Sequence, residues 1–200
     1  MSLVVSLEGM PLAGKTTLAS LVHEYYKIKG YDSVLYTETR SSDAFILAKR
    51  RLLNPDSPRL STAFLLASNV VETYEKLLRL VTRHEIVVVD DMFSDFLVYT
   101  TLENLNLPFL DEFLLRLTLP HFIFYLKRDY KKLDLRKVEK SLFPSVLRSE
   151  EVYNKIETGV RSRLLKYCYH KARTIENNSD EPMQVFKEIK PILDELLKLL

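Results

Sequence analysis

Apolar and polar positions along the 200-residue chain change period several times, and each change marks an element. Residues 3–7, Leu-Val-Val-Ser-Leu, form a short apolar run suited to a buried strand. From Lys15 the period turns helical, with Leu18, Leu21, Val22 and Tyr25 on one face. Gly30 closes that helix, and residues 31–37 predict a second strand. Helices are predicted over 43–53, stopped by Asn54-Pro55-Asp56-Ser57-Pro58, and over 61–81, where Phe64, Leu65, Ala67, Val70, Val71, Tyr74, Leu77 and Leu78 recur at helical spacing. Residues 85–90 run from four aliphatic side chains into Asp90, the pattern of a buried parallel strand. A helix over 109–117, strands at 120–126 and 172–175, and an amphipathic helix over 181–200, opened by Pro182 and interrupted at Pro191, complete the chain. Strands alternating with helices predict an α/β fold, a three-layer sandwich of about five mostly parallel strands covered on both faces. No repeat or linker divides residues 1–200, so one domain is expected.

The junction between the first strand and its helix carries the strongest chemical signal. Gly9, Met10, Pro11, Leu12, Ala13, Gly14, Lys15 and Thr16 fit G-x-x-x-x-G-K-[ST], with Thr17 following. Strand, glycine-bounded loop and helix are the context of a phosphate loop, so the fold expected is of P-loop NTPase type. Gly9 and Gly14 permit close approach of backbone N–H groups to a polyphosphate, and the helix start adds its dipole. Lys15 is expected to reach the β- and γ-phosphates of ATP, and Thr16 and Asp90 to position Mg²⁺.

Composition narrows the partners. The chain is 46% hydrophobic and 28% charged with a net charge of +2 and a pI of about 8.5. That balance argues against nucleic acid or an anionic membrane as main partner. A single cysteine, Cys168, forbids an internal disulfide, and with no room for a signal peptide before the first strand a cytoplasmic setting is expected. One glutamine and no tryptophan beside many Lys and Glu hint at a thermophilic source, against which Asn177-Asn178 stands. His23, His84, His121 and His170 fall at no metal-ligand spacing. The apolar stripe of the last helix reads as core or as a homodimer contact.

Residues 127–148 open with a charged run, Lys127 to Lys140. This segment reads either as a solvated surface or as a mobile lid that brings cations onto a triphosphate. Arg136 is the preferred lid cation, with Arg148, Arg161 and Arg163 as helpers.

Taken in order, these residues resemble the thymidylate kinase family of nucleoside monophosphate kinases. Leu7-Glu8-Gly9 with Ala13-Gly14-Lys15-Thr16-Thr17 resembles that family's opening. Leu65-Leu66-Ala67-Ser68-Asn69 is similar to its mid-chain helix, and Val88-Val89-Asp90 to the strand ending in Asp-Arg. Ser149-Glu150-Glu151-Val152-Tyr153 and Gly159-Val160-Arg161 resemble a later helix, and residues 175–181 the loop covering adenine. The resemblance implies transfer of the γ-phosphoryl group of MgATP to a nucleoside monophosphate, dTMP in the parent family. The departures lie on the acceptor side. Pro11 and Leu12 stand where an Asp is common, Asp91 replaces the arginine that holds the acceptor phosphate, and Leu66 replaces the ring that stacks on thymine. Asn69 and Val70 replace an Asp-Arg pair. Arg40, Phe64, Asn69 and Asp91 are therefore the expected acceptor-side residues, with Arg40, a lid cation or a second Mg²⁺ at Asp91 taking over the phosphate. Two unit charges about 4 Å apart at an effective dielectric near 20 interact by roughly 4 kcal/mol, so an aspartate facing that phosphate needs such a replacement. Two other functions fit the same residues: a kinase of another acceptor, and an ATP-binding switch or partner subunit without turnover.

Overall fold

The computed structural model describes residues 2–37, 42–54, 56–168 and 170–200. Its strands are β1 (Leu3–Gly9), β2 (Ser33–Tyr36), β3 (Ile86–Asp90), β4 (Phe122–Lys127) and β5 (Ala172–Glu176). They form one five-stranded sheet in the order β2-β3-β1-β4-β5, and every pairing is parallel. The helices are α1 (Lys15–Ile28), α2 (Asp43–Leu52), α3 (Arg59–Leu80), α4 (Ser94–Leu102), α5 (Pro108–Leu115), α6 (Pro144–Leu147), α7 (Glu150–Cys168) and α8 (Pro182–Leu196).

Alternation along β1 sorts the core into two halves. Leu3, Val5 and Leu7 face α1 and α8, in company with Val88, Phe124, Leu126, Leu18, Val22, Ile189 and Leu193. Val4 faces the opposite side with Val87, Val89, Ile123, Tyr125 and the apolar residues of α3, α4, α5 and α7. A parallel sheet buried on both faces requires such apolar strands. With β1 in the centre, its carboxyl end lies between β3 and β4, where ligands collect in open α/β sheets.

Two elements differ from the pattern-based expectation. Helix α4 is hydrophobic all round, with Phe96, Leu97, Val98 and Tyr99 all buried, so it shows no amphipathic period to detect. Helix α8 runs unbroken through Pro191. A proline inside a helix costs about 3 kcal/mol. Burial of Val185, Phe186, Ile189, Leu193 and Leu196 along one stripe outweighs that cost, at roughly 1.5–3 kcal/mol for each large side chain. That stripe is core.

The segment over 127–148 is stapled to the protein rather than suspended above it. It folds as two 3-10 turns, Tyr130–Lys132 and Leu135–Lys140, followed by α6. Leu133, Val138, Phe143, Val146 and Leu147 are buried in the larger half of the core. Tyr130 and Tyr153 donate their hydroxyl protons to the carbonyls of Leu147 and Arg128, tying both ends down.

Candidate active site

Gly9 and Gly14 bracket the loop with φ of 146° and 92°. A Cβ at Gly9 would lie 2.5 Å from the Leu126 carbonyl oxygen, and one at Gly14 2.6 Å from Asn177 Nδ2. Close approach and left-handed backbone thus both require glycine here. Leu12 also has a positive φ, 65°, a conformation that strains an L side chain by roughly 1–2 kcal/mol. Asn177 Nδ2 donates to the Ala13 carbonyl at 2.6 Å, fixing the loop from the β5–α8 connection. Helix α1 starts at Gly14 with neither a side-chain cap nor an acidic residue in its first turn. Its opening amides are therefore suited to an anion.

Lys15 is buried beneath the loop. Its ammonium donates to the carbonyls of Gly9 at 2.8 Å and Met10 at 3.2 Å, and lies 3.3 Å from Asp91 Oδ2. Asp91 is only 4% exposed and adopts φ 74° just past β3. Its other oxygen accepts from the Ser94 amide. Where Asp91 was expected to face an acceptor phosphate, the structure turns its carboxylate onto Lys15.

Beside this pair, the fully buried Glu8 fastens β1 to the turn that leads into α4. Its carboxylate accepts from the amides of Met92, Phe93 and Ser94 and from the hydroxyls of Ser6 and Ser94. Ser94 Oγ in turn accepts the Gly9 amide at 2.9 Å. Burial, followed by the charge of Asp91, raises the Glu8 carboxyl from 4.5 to about 7 against the lowering effect of these hydrogen bonds.

A cavity of about 340 Å³ opens above the loop, lined by residues 11–17 together with Asp90, Asp95, Asp134 and Lys137. Of the predicted loop residues, Pro11, Leu12, Ala13, Gly14, Lys15, Thr16 and Thr17 line it, whereas the Met10 side chain is buried in the core. A second cavity, of about 170 Å³, continues past Leu12, Gly14, Thr17, Asp134 and Lys137 to Arg128, Asn177, Ser179 and Asp180. Thr16 and Asp90 share the first cavity, and their oxygens suit Mg²⁺. Among the described residues no three His, Cys, Asp or Glu side chains cluster tightly enough to hold a metal by themselves. An ion between Thr16 and Asp90 would complete its shell with phosphate oxygens and water, as Mg²⁺ commonly does.

The remaining predicted residues do not converge on this cavity. Arg136 is 91% exposed and grips Asp134, which also holds its neighbour Lys137 at 3.3 Å, and of the two cations only Lys137 lines the cavity. Arg148 pairs with Glu139, and Arg161 with Glu157. Arg163 clamps α7 to α4 and α5 through Asp111, Thr100, Thr101 and the Leu97 carbonyl. Phe64 is 46% exposed, with its ring 6.5 Å from that of Phe109. Asn69 is buried and accepts from Ser42 Oγ, the cap of α2. Arg40 lies outside the described residues. Sequence reasoning missed Lys137 and Asp95. The first is one place along from Arg136 in a run of charges, and the second carries only the weak signal of an acid in a first helical turn.

Comparison with known proteins adds to this geometry. The model of a family described as thymidylate kinase matches residues 7–189. A probable thymidylate kinase of Pyrococcus horikoshii is 31% identical over 113 residues, which cover 53% of this chain and 55% of that protein. The match therefore spans about half the length of that relative. The fold superposes on a thymidylate kinase from Ehrlichia chaffeensis with TM-score 0.70 and 19% identity, covering 96% of this chain and 98% of the other. It also superposes on one from Candida albicans with TM-score 0.71 and 17% identity, covering 97% and 92%.

Proposed function

The chain belongs to the thymidylate kinase family, and from that premise we propose that it transfers the γ-phosphoryl group of ATP to a nucleoside monophosphate, dTMP by family. The observation that carries this reading is continuity. The two cavities share Leu12, Gly14, Thr17, Asp134 and Lys137, giving one groove with an anion-binding loop at one end and Arg128, Asn177 and Asp180 at the other.

The loop backbone and the first amides of α1 bind the phosphates. Lys15 exchanges carbonyl partners for phosphate oxygens, with Asp91 keeping its ammonium oriented. Thr16 and Asp90 hold Mg²⁺, which when bound offsets charge on the transferring group. Lys137 brings a further positive charge from above the loop. The acceptor oxygen forms a new bond to the γ-phosphorus as the bond to the ADP oxygen breaks, so positioning and electrostatics supply the catalysis. Nucleotide substrates and a reduced, buried Cys168 suit a cytoplasmic setting.

ADP release measured with MgATP across nucleoside monophosphates and free nucleosides tests this. Turnover should depend on dTMP and fall about 10³-fold or more in Lys15→Ala with the fold intact. ATP binding without turnover on any acceptor would overturn the kinase reading in favour of a switch. Near-normal turnover in Lys15→Ala would remove the role given to that lysine.

Two copies are proposed to pair through Leu60 and Phe64 of α3 with Phe109 and Phe113 of α5, large apolar side chains left exposed side by side. Sedimentation should give a dimer, and Phe64→Asp with Phe109→Asp a monomer. A monomeric parent would overturn the pairing.

A further inference from the structure

A cavity of about 640 Å³ lies at the opposite end of the sheet, where α5 and α7 finish and β4 and β5 begin. Its charged and titratable lining is all of one kind: Arg116, His121, Lys166, His170 and Lys171, with the Tyr167 ring beside them. No Asp or Glu is among its described lining residues. β4 runs from its start near His121 to Leu126, which is paired with Gly9. At about 3.3 Å per strand residue, that separates this cavity from the phosphate loop by roughly 16 Å.

Lys171 is the informative residue. It is only 8% exposed, and its ammonium donates to the Leu117 carbonyl at 2.7 Å. Burial lowers its proton affinity, and the neighbouring Cys168 thiol, itself raised to about 11 by burial, carries no balancing charge near neutrality. His121 accepts the Val4 amide on Nδ1 at 2.9 Å, so the neutral ring carries its proton on Nε2 as a donor. Burial and then the Lys171 charge hold that ring below its ordinary value.

Basic residues often sit at helix C-termini because the dipole there is negative. That end carries only about half an elementary charge and its effect fades within a turn. It cannot balance a buried ammonium together with Arg116 and Lys166, of which only Arg116 makes an ion pair, with Glu112 at 3.2 Å, among the described residues. Basic donors converging on a cavity large enough for a small ligand, with the buried Lys171 ammonium facing a carbonyl and no carboxylate among the described lining residues, mark a binding site.

We propose that this cavity is a second anion site that takes the phosphate groups of a small ligand, either a free oligophosphate or the phosphate tail of a nucleotide. Arg116 and Lys166 at its mouth attract the anion, and Lys171 with the His121 ring donates from its floor. The site is independent of the acceptor and of turnover at the phosphate loop.

The test follows the His121 imidazole by NMR in the full chain, its signals assigned by their loss in His121→Asn, while inorganic tripolyphosphate or ATP is added. A saturable shift is expected, weakened tenfold or more in the Arg116→Gln, Lys166→Gln double variant, whose exposed positions leave folding and turnover unchanged. Lys171→Met should abolish it. If that variant fails to fold, the double variant decides alone. Equal affinity for the two probes assigns the site to the phosphates, and at least tenfold tighter ATP assigns it to a nucleotide. No saturable shift with either probe at millimolar concentration, or undiminished affinity in the double variant, overturns the proposal.

Discussion

At Lys15, two loop carbonyls and the Asp91 carboxylate share one ammonium, and Glu8 sits just behind them. The motif made Lys15, Gly9 and Gly14 legible because their roles depend on local spacing. The roles of Glu8 and Asp91 depend on how β1 and the turn after β3 meet, some 80 residues apart in the chain, and no local pattern reports that. The Glu8 carboxyl has a measurable signature. Its value in the folded chain, about 7, lies above the ordinary 4.5. Between these values the folded state keeps a proton that the unfolded state has lost. The contribution of Glu8 to stability is therefore largest below pH 4.5, falls as pH rises through the window to 7, and is flat above it. The difference in unfolding temperature between the parent and Glu8→Gln should decline across that window and level off beyond it. A difference constant with pH would place the proton elsewhere.

Among the elements, the strands and the helices α1, α2, α3, α5 and α8 could be read from period, whereas α7 came only from the family resemblance. α4 could not be read, because a helix buried all round has no face to mark. The segment over 127–148 was legible as a charged stretch above the loop but not in its detail. At its second 3-10 turn, Leu135–Lys140, Asp134 pairs with both Arg136, which is turned outward, and Lys137, which lines the cavity over the phosphate loop. Arg136→Ala should therefore keep kcat/KM within about twofold. Lys137→Ala should lower it about tenfold or more, which corresponds to roughly 1.4 kcal/mol of transition-state stabilisation. Equal losses in both variants would mean that the arginine swings inward during turnover.

Across the whole molecule, the phosphate-loop geometry was readable because its residues are contiguous, running from Gly9 to Thr17, with Asp90 ending an adjacent strand. The residues expected on the acceptor side are not contiguous: Phe64 and Asn69 lie on α3 and Asp91 in the turn after β3. There the actual partners of Asn69 and Asp91 are Ser42 and Lys15. The apolar face left exposed lies on α3 and α5 rather than α8 for a related reason. An apolar stripe shows that a helix is covered, and only the packing shows by what.

Leu133, Val138 and Phe143 anchor the segment over the phosphate-loop cavity in the same apolar interior as Phe93 and Phe96. Warming thus has no weakly attached flap to detach first in that described segment. Thermal inactivation and the calorimetric melt should therefore coincide within a few degrees, and activity vanishing well before the heat-absorption peak would mean that the segment frays on its own.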